Sequence, residues 1–495
     1  MVPRFAESLV APRVAWTIVG LLTLFYAALC VQGIDGLSLW NDEAFSFFVA
    51  WRGLGHTLAM MRQDSQPPAY YLVLAEWLRL GHGVAVLRGL SAFASVLAVP
   101  LAFAAARRLL GVRLALLAVL LFVIGPESVA WAQKARPYAV QAFFVAVAFW
   151  GFACIWTASR PRFGLPWVAY VLGGGLAVLA QYPGVFFLIG CNAAVAVRVA
   201  RDWRAERRFA RAWGLGQAAL LLVWLPWLPD GVPQVLGHLT PAAIATRHAN
   251  YLAVASPQWL AGTLSSMLSI ASLWRALPPF EVLYAVLAVL GLVVLWRRPE
   301  GRGLPVIGTV VVPLAVCVLL WSLLHPVFGY IIYTFIWLRL PYAMLIAAGL
   351  AALRPRWLAA GVLALLLLGN AWGLANYKAT PNVPLDRVTA RIAADLRPGD
   401  GVLLSDKGAA RWALAYYLGP PYAGRLVGLD VSDYPNEGST IATRAEALKV
   451  PRLWVVLPGT EKLPFDPAAL APAMRRTVQE HVADVLVERY DRAAP

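Results

Sequence analysis

Long apolar runs alternate along the chain with short, arginine-rich connections and with longer mixed ones. The apolar runs fall at 14–31, 84–106, 114–126, 138–157, 165–182, 184–200, 214–229, 280–296, 304–324, 339–353 and 357–375. Most approach the roughly 20 residues that an α-helix needs to cross a bilayer. The pattern predicts a polytopic α-helical membrane protein with about 11 spans, in a range of about 11–13. Val14–Val31 is too long for a signal peptide and lacks a clear small-residue cleavage site, so it reads as a retained first span.

Past residue 376 the pattern changes. "LDRVTARIAADL" has the spacing of an amphipathic helix, and "GVLLS" reads as a short buried strand. "GAARWALAYYLG" reads as a helix, "RLVGLD" and "RLWVVLP" as strands, "AALAPAMRRTVQEHV" as a helix and "ADVLVERY" as a last strand. Alternation of this kind predicts a small α/β domain. The division is therefore 1–375, a transmembrane module, and 376–495, a domain outside the membrane. The second domain shows no glycine-rich phosphate loop and is expected to be a structural or acceptor-shaping cap.

Composition agrees with the periodicity. The chain is 60% hydrophobic and 14% charged, against about 25% charged in an average soluble domain. A net charge of +16 raises the question of nucleic acid. Where the charge sits argues against it. Arg107-Arg108-Arg113, Arg160-Arg162, "RVARDWRAERRFARAW", Arg297-Arg298-Arg302 and Arg354-Arg356 occupy every second connection. That is the signature of cytoplasmic loops. The other connections, 32–83, 127–137, the hinge near 183, 230–279, 325–338 and everything after about 376, then face outward. All four cysteines lie in apolar runs, without disulfide or zinc spacing.

Candidate chemistry concentrates in the outward connections. "SLWNDEAFSF" places Asp42 and Glu43 just past the first span. Two readings stand side by side. The acids could cap a helix starting near Ala44. Near a bilayer, desolvation would also make a carboxylate a better base. Asp64 forms a second acidic locus beside the rigid Pro67-Pro68 pair, and the same faces carry Lys134, Arg136 and Arg339. Phe45, Phe47 and Phe48 could cover an interfacial helix lying flat on the membrane, and Trp40, Trp51 and Trp77 are natural interface anchors. Carboxylate plus cation at a membrane surface suits transfer of a group from a lipid phosphate. The cations stabilise the departing phosphate, and the carboxylate takes a proton from the attacking hydroxyl. No paired-His helix or Asp-x-Asp triplet appears, so no metal and no cofactor are expected.

"WNDEAFSFFVA", "DSQPPAYYLVL", "VLRGLSAFASVLAVPLAFAAARRLLG" and "AWAQKARPYAVQAFF", in that order, resemble the GT-C polyprenyl-phosphate-sugar glycosyltransferases. The nearest branch is similar to family 39, the protein O-mannosyltransferase and lipid A aminoarabinose transferase superfamily. The resemblance covers about 35–160 well and the later spans more loosely. It implies inverting transfer from a polyprenyl-phosphate sugar to a hydroxyl outside the cytoplasmic membrane. By that analogy Asp42 is the base and Glu43 a positioning or second acid. Lys134, Arg136 and Arg339 would bind the donor phosphate, while Asp64, Gln66, Tyr70, Tyr138 and His325 would line the substrate site. Gln66 stands where the family often has His or Lys, so an ionic role there is absent or displaced. Arg88 and Arg339 could instead be interfacial side chains that snorkel. The implied partners are the lipid-linked sugar, membrane lipid and an acceptor that is protein, envelope glycan or lipid, with no nucleic acid.

Two other classes compete. A transporter or flippase keeps ionisable groups near the middle of its spans, whereas here the acids lie at span rims. A non-catalytic envelope assembly protein would need neither Asp42 nor the outward cations.

Overall fold

The computed structural model describes residues 11–160, 162–237, 240, 278–324, 335–379, 383–404, 411–419, 443–459, 463 and 465–493. The chain runs through α1 (Pro12–Val31), α2 (Asn41–Ala50), α3 (Leu54–Gln63), α4 (Ala69–Trp77), α5 (Val84–Leu110), α6 (Val112–Val123), α7 (Pro126–Ala132) and α8 (Pro137–Thr157). Then come α9 (Leu165–Ala180), α10 (Gly184–Arg201), α11 (Trp203–Trp224), α12 (Leu228–Gly237), α13 (Pro278–Trp296), α14 (Leu304–Leu324), α15 (Arg339–Ala352) and α16 (Arg356–Ala379). The C-terminal part adds α17 (Leu385–Ala393), β1 (Gly401–Leu404), α18 (Arg411–Leu418), α19 (Arg444–Ala447), β2 (Arg452–Pro458), β3 (Met474–Val482) and β4 (Val485–Arg492).

Six described helices are long and apolar enough to cross a membrane, and the pair α6–α7, bent by 60°, would make a seventh. Four shorter apolar helices lie at Leu165–Ala180, Val282–Trp296, Leu304–Leu319 and Ile336–Ala352. The predicted run at 214–229 belongs to a longer helix, because α11 begins at Trp203 and carries the arginine-rich segment as its first turns. Asp202 starts it by accepting the Ala205 N–H at 3.0 Å.

Contacts divide the chain into two compact units: residues 1–32, 61–73 and 88–379, and residues 33–60, 74–87 and 380–495. The first is the helical membrane part. Its helices approach closely where glycines meet backbone. A Cβ on Gly349 of α15 would collide with the Leu287 carbonyl of α13, and one on Gly291 with the Leu345 carbonyl. Small residues at such crossings give the close van der Waals packing that holds helices together in lipid. Polar side chains complete the joints. Gln133 Nε2 donates to the carbonyls of Cys30 (3.0 Å) and Gln32 (2.9 Å) at the end of α1. Its Oε1 accepts from Lys378 Nζ (3.0 Å) and Tyr377 Oη (3.3 Å) in α16.

The second unit contains a four-stranded sheet in the order β1-β2-β4-β3, with β1 parallel to β2 and the remaining pairs antiparallel. Arg452 on β2 forms a bidentate pair with the buried Asp400, at 2.9 and 2.6 Å, and Trp454 Nε1 donates to the same carboxylate at 3.1 Å. The expected helix over "AALAPAMRRTVQEHV" is corrected. Pro467–Leu470 forms one 3-10 turn and Met474–Val482 is strand β3, paired with β4 across a two-residue turn at Ala483-Asp484. Ala483 holds a φ of 55° there, an uncommon conformation for a side chain with a Cβ. The strand read in "RLVGLD" lies outside the described residues.

This unit also takes α2 from the first long connection. Phe45 and Phe48 set their rings 5.4 and 5.5 Å from Trp412 of α18, and Phe47 lies 4.9 Å from Tyr416. Ser38 hydrogen-bonds Asp386, the Leu39 N–H donates to Tyr417 Oη at 2.6 Å, and Tyr416 Oη donates to the His82 carbonyl at 2.7 Å. The phenylalanines are therefore buried in a protein interior, not spread over a flat interfacial helix.

Candidate active site

The acidic motif opens α2. Trp40 is extended, and the helix starts at Asn41. Glu43, at the third helical position, turns its carboxylate back to accept the Trp40 N–H at 3.0 Å. That satisfies one of the donors a helix start leaves open. Glu43 is 1% exposed. Asn41 Oδ1 accepts the Trp412 N–H at 2.9 Å, which fastens α2 to α18. Asp42 lies between them, half-buried, and its carbonyl accepts the Ser46 hydroxyl at 3.0 Å. The capping reading of the acid pair thus holds for Glu43, whose carboxylate closes the start of the helix that carries Asp42.

The predicted cations gather in the first unit, where α7 turns into α8. Pro137 begins α8, a position that needs no N–H donor. Trp131 and Tyr138 meet edge to face at 4.9 Å and form an apolar cluster with Ile336. Lys134 Nζ lies 5.0 Å from the Trp131 ring centre, and Arg136 Cζ lies 5.8 Å from that of Tyr138. Such cation–π placement is worth more as water is excluded. Ser91 Oγ donates to the Arg136 carbonyl at 3.4 Å. Arg339, the first residue of α15, forms a buried ion pair with Glu127 in the first turn of α7. Snorkelling would leave these guanidinium groups wet, yet Arg88, Arg136 and Arg339 are 4–5% exposed.

Glu127 was not among the expected site residues. It had a signal: from 114 to 159 the sequence holds three charges, Glu127, Lys134 and Arg136, and an ionisable residue inside an apolar stretch points to function.

The remaining candidates form a second group in the first unit. Asp64 Oδ1 accepts the N–H groups of Ser65 (2.6 Å) and Gln66 (2.9 Å), an Asx turn ahead of Pro67-Pro68. Tyr71 Oη donates to Gln66 Oε1 at 3.0 Å, and Tyr70 lies buried with its ring 4.9 Å from that of Tyr71. Nearby, Arg62 pairs with Asp230 at 3.3 Å, and Gln234 Nε2 donates to the Met61 carbonyl at 2.7 Å. His325 lies outside the described residues, as do His238 and His248. Among the described residues no group of three or more His, Cys, Asp or Glu could hold a metal ion.

Residues 65–229 match the family model described as dolichyl-phosphate-mannose-protein mannosyltransferase. No curated protein matches the chain. The Archaeoglobus fulgidus oligosaccharyltransferase, solved in complex with zinc and sulfate, has a similar fold. Its TM-score is 0.56 at 14% identity, over 88% of this chain and 67% of that one. The mycobacterial arabinofuranosyltransferase AftD aligns with a TM-score of 0.51 at 13% identity, over 99% and 42%. ArnT from Cupriavidus metallidurans, bound to undecaprenyl phosphate, aligns over 95% and 97% at 16% identity, with a TM-score of 0.47. A third of the chain thus matches a glycosyltransferase family model, and the described part holds six helices long and apolar enough to cross a membrane.

Proposed function

We propose that the protein transfers a sugar, with inversion, from a polyprenyl-phosphate donor to an acceptor hydroxyl on the extracytoplasmic face of the cytoplasmic membrane. The acceptor oxygen attacks the anomeric carbon from the side opposite the phosphate. Its proton passes to Asp42 as the new C–O bond forms, and the old bond to the phosphate oxygen breaks. The leaving lipid phosphate gains negative charge in that step. Lys134, Arg136 and Arg339 hold it by charge-assisted hydrogen bonds, which count most where charge develops and water is scarce. Glu43 positions Asp42. Asp64, Gln66, Tyr70, Tyr138 and His325 line the sugar and acceptor sites, and no cofactor or metal is required. The acceptor is a protein or an envelope glycan or lipid.

The observation that carries this reading is the corner of Lys134, Arg136 and Arg339 around Trp131 and Tyr138. Arg136 and Arg339 are buried, and charge-assisted hydrogen bonds from such groups to a phosphate count most where water is scarce. The family match over 65–229 supports the donor class. The test incubates purified protein with polyprenyl-phosphate sugars and envelope extract, and identifies by mass what gains a sugar. Arg136→Ala and Arg339→Ala should each bind labelled donor at least tenfold more weakly. Parent-like donor affinity in both would refute the phosphate assignment.

A further inference from the structure

We infer that Glu127 is a positioning residue that aims Arg339 at the donor phosphate; the inference rests on the phosphate-binding role proposed for Arg339. An arginine carries five N–H donors in one plane. Glu127 takes the Nη2 side, and Nη1 on the same guanidinium is buried with no hydrogen-bond partner among the described residues. The two side chains are 4% and 6% exposed, so water does not average out their geometry. A buried donor left unmade is costly, and most native structures avoid it. Holding one edge of the fork on a carboxylate while the other stays unsatisfied suits a ligand that brings its own acceptor oxygen. A phosphate oxygen meets that demand.

The surroundings make the arrangement rigid. Glu127 sits in the first turn of the short helix α7, and Arg339 in the first turn of α15. Ile336, one turn before Arg339, packs with Trp131 and Tyr138, so the pair spans two elements already joined by an apolar contact. Removing the carboxylate charge would leave Arg339 without its fixed edge, free to turn. Misplacement of a binding group by about 1 Å costs on the order of 10²-fold in rate.

The experiment measures transfer by purified full-length Glu127→Gln and Glu127→Asp in nanodiscs. The first keeps volume but not charge; the second keeps charge but shortens the reach. Both should raise the donor KM about tenfold or more and leave the acceptor KM unchanged. A merely structural role would lower the amount of active enzyme, seen as a fall in kcat with both KM values unmoved. Should Glu127→Gln fail to fold, Glu127→Asp keeps the test open. The double variant Glu127→Arg with Arg339→Glu keeps a buried pair, so it should recover thermal stability without recovering transfer. Parent-like donor KM in the single variants, or full activity in the exchanged pair, overturns the inference. Unchanged donor affinity in Arg339→Ala would instead overturn the phosphate reading beneath it.

Discussion

Trp412 lies 371 residues after Asn41 in the sequence, yet the two share a hydrogen bond at the start of α2. Trp412→Ala keeps that backbone N–H but removes the ring packed on α2, so it should loosen the helix that carries Asp42. Trp412 is 8% exposed and its ring packs against Phe45 and Phe48. Truncating a buried tryptophan to alanine costs about 3–5 kcal/mol, and the two ring pairs place it at the upper end. A typical domain has about 5–15 kcal/mol in all, so the change removes a large share. For a unit of this size the midpoint of unfolding should fall by on the order of 10 °C. Asn41→Ala keeps the rings but strips the acceptor from the Trp412 N–H, a loss of about 1–3 kcal/mol. The sites touch, so the double variant should lose less than the sum. Thermal unfolding followed by circular dichroism reads the stability, and transfer from labelled donor at about 20 °C below the midpoint reads the function. Transfer should fall in the order parent, Asn41→Ala, Trp412→Ala. A Trp412→Ala protein with parent-like midpoint and parent-like transfer would show that α2 does not depend on α18.

Other outcomes test different levels. Asp42→Asn should keep expression and unfolding midpoint while transfer falls by at least 10²-fold, in line with general-base loss; a fully active Asn variant defeats the base assignment. Gly349→Ala forces a Cβ onto the Leu287 carbonyl and should cost about 1–3 kcal/mol by overpacking, read as a lower aggregation temperature; an unchanged value would mean the α13–α15 crossing is looser than described. Burial pulls the Asp395 carboxyl upward, but the hydrogen bond from Arg452 and the charges of Arg489, Arg452 and Arg397 outweigh it and hold it below the ordinary range. Its contribution to stability is then complete above the unfolded value, about 3.9, and disappears as pH falls toward the lower folded value. Asp395→Asn should flatten the acid-induced loss of structure below about pH 4, followed by circular dichroism; identical acid titrations would refute the pairing.

Much of the membrane part was legible. The run 138–157 is the helix Pro137–Thr157, and 304–324 is Leu304–Leu324, because lipid-facing and core-facing residues are both apolar and leave charges only at the ends. The C-terminal part was harder. Met474–Val482 carries Arg475, Arg476, Gln479 and Glu480, good helix formers, and only its pairing with β4 makes it a strand. The turn that permits the pairing lacks the Asn-Gly or Asp-Gly dipeptide that announces a hairpin. Asp42-Glu43 could be singled out as an acid pair, but the anchoring of Asn41 beside it on α18 comes from a residue 371 positions away. The union of residues 33–60 with the C-terminal unit has no local sequence signal at all.

The Gln133 joint bears on how the protein is made. Its amide clasps the exit of the first span and waits for Tyr377 and Lys378, which the ribosome delivers about 245 residues later. Until then the side-chain oxygen must find water or lipid headgroups, so a nascent chain halted before α16 carries a visible flaw. Completion of the last span is what latches the first one in place.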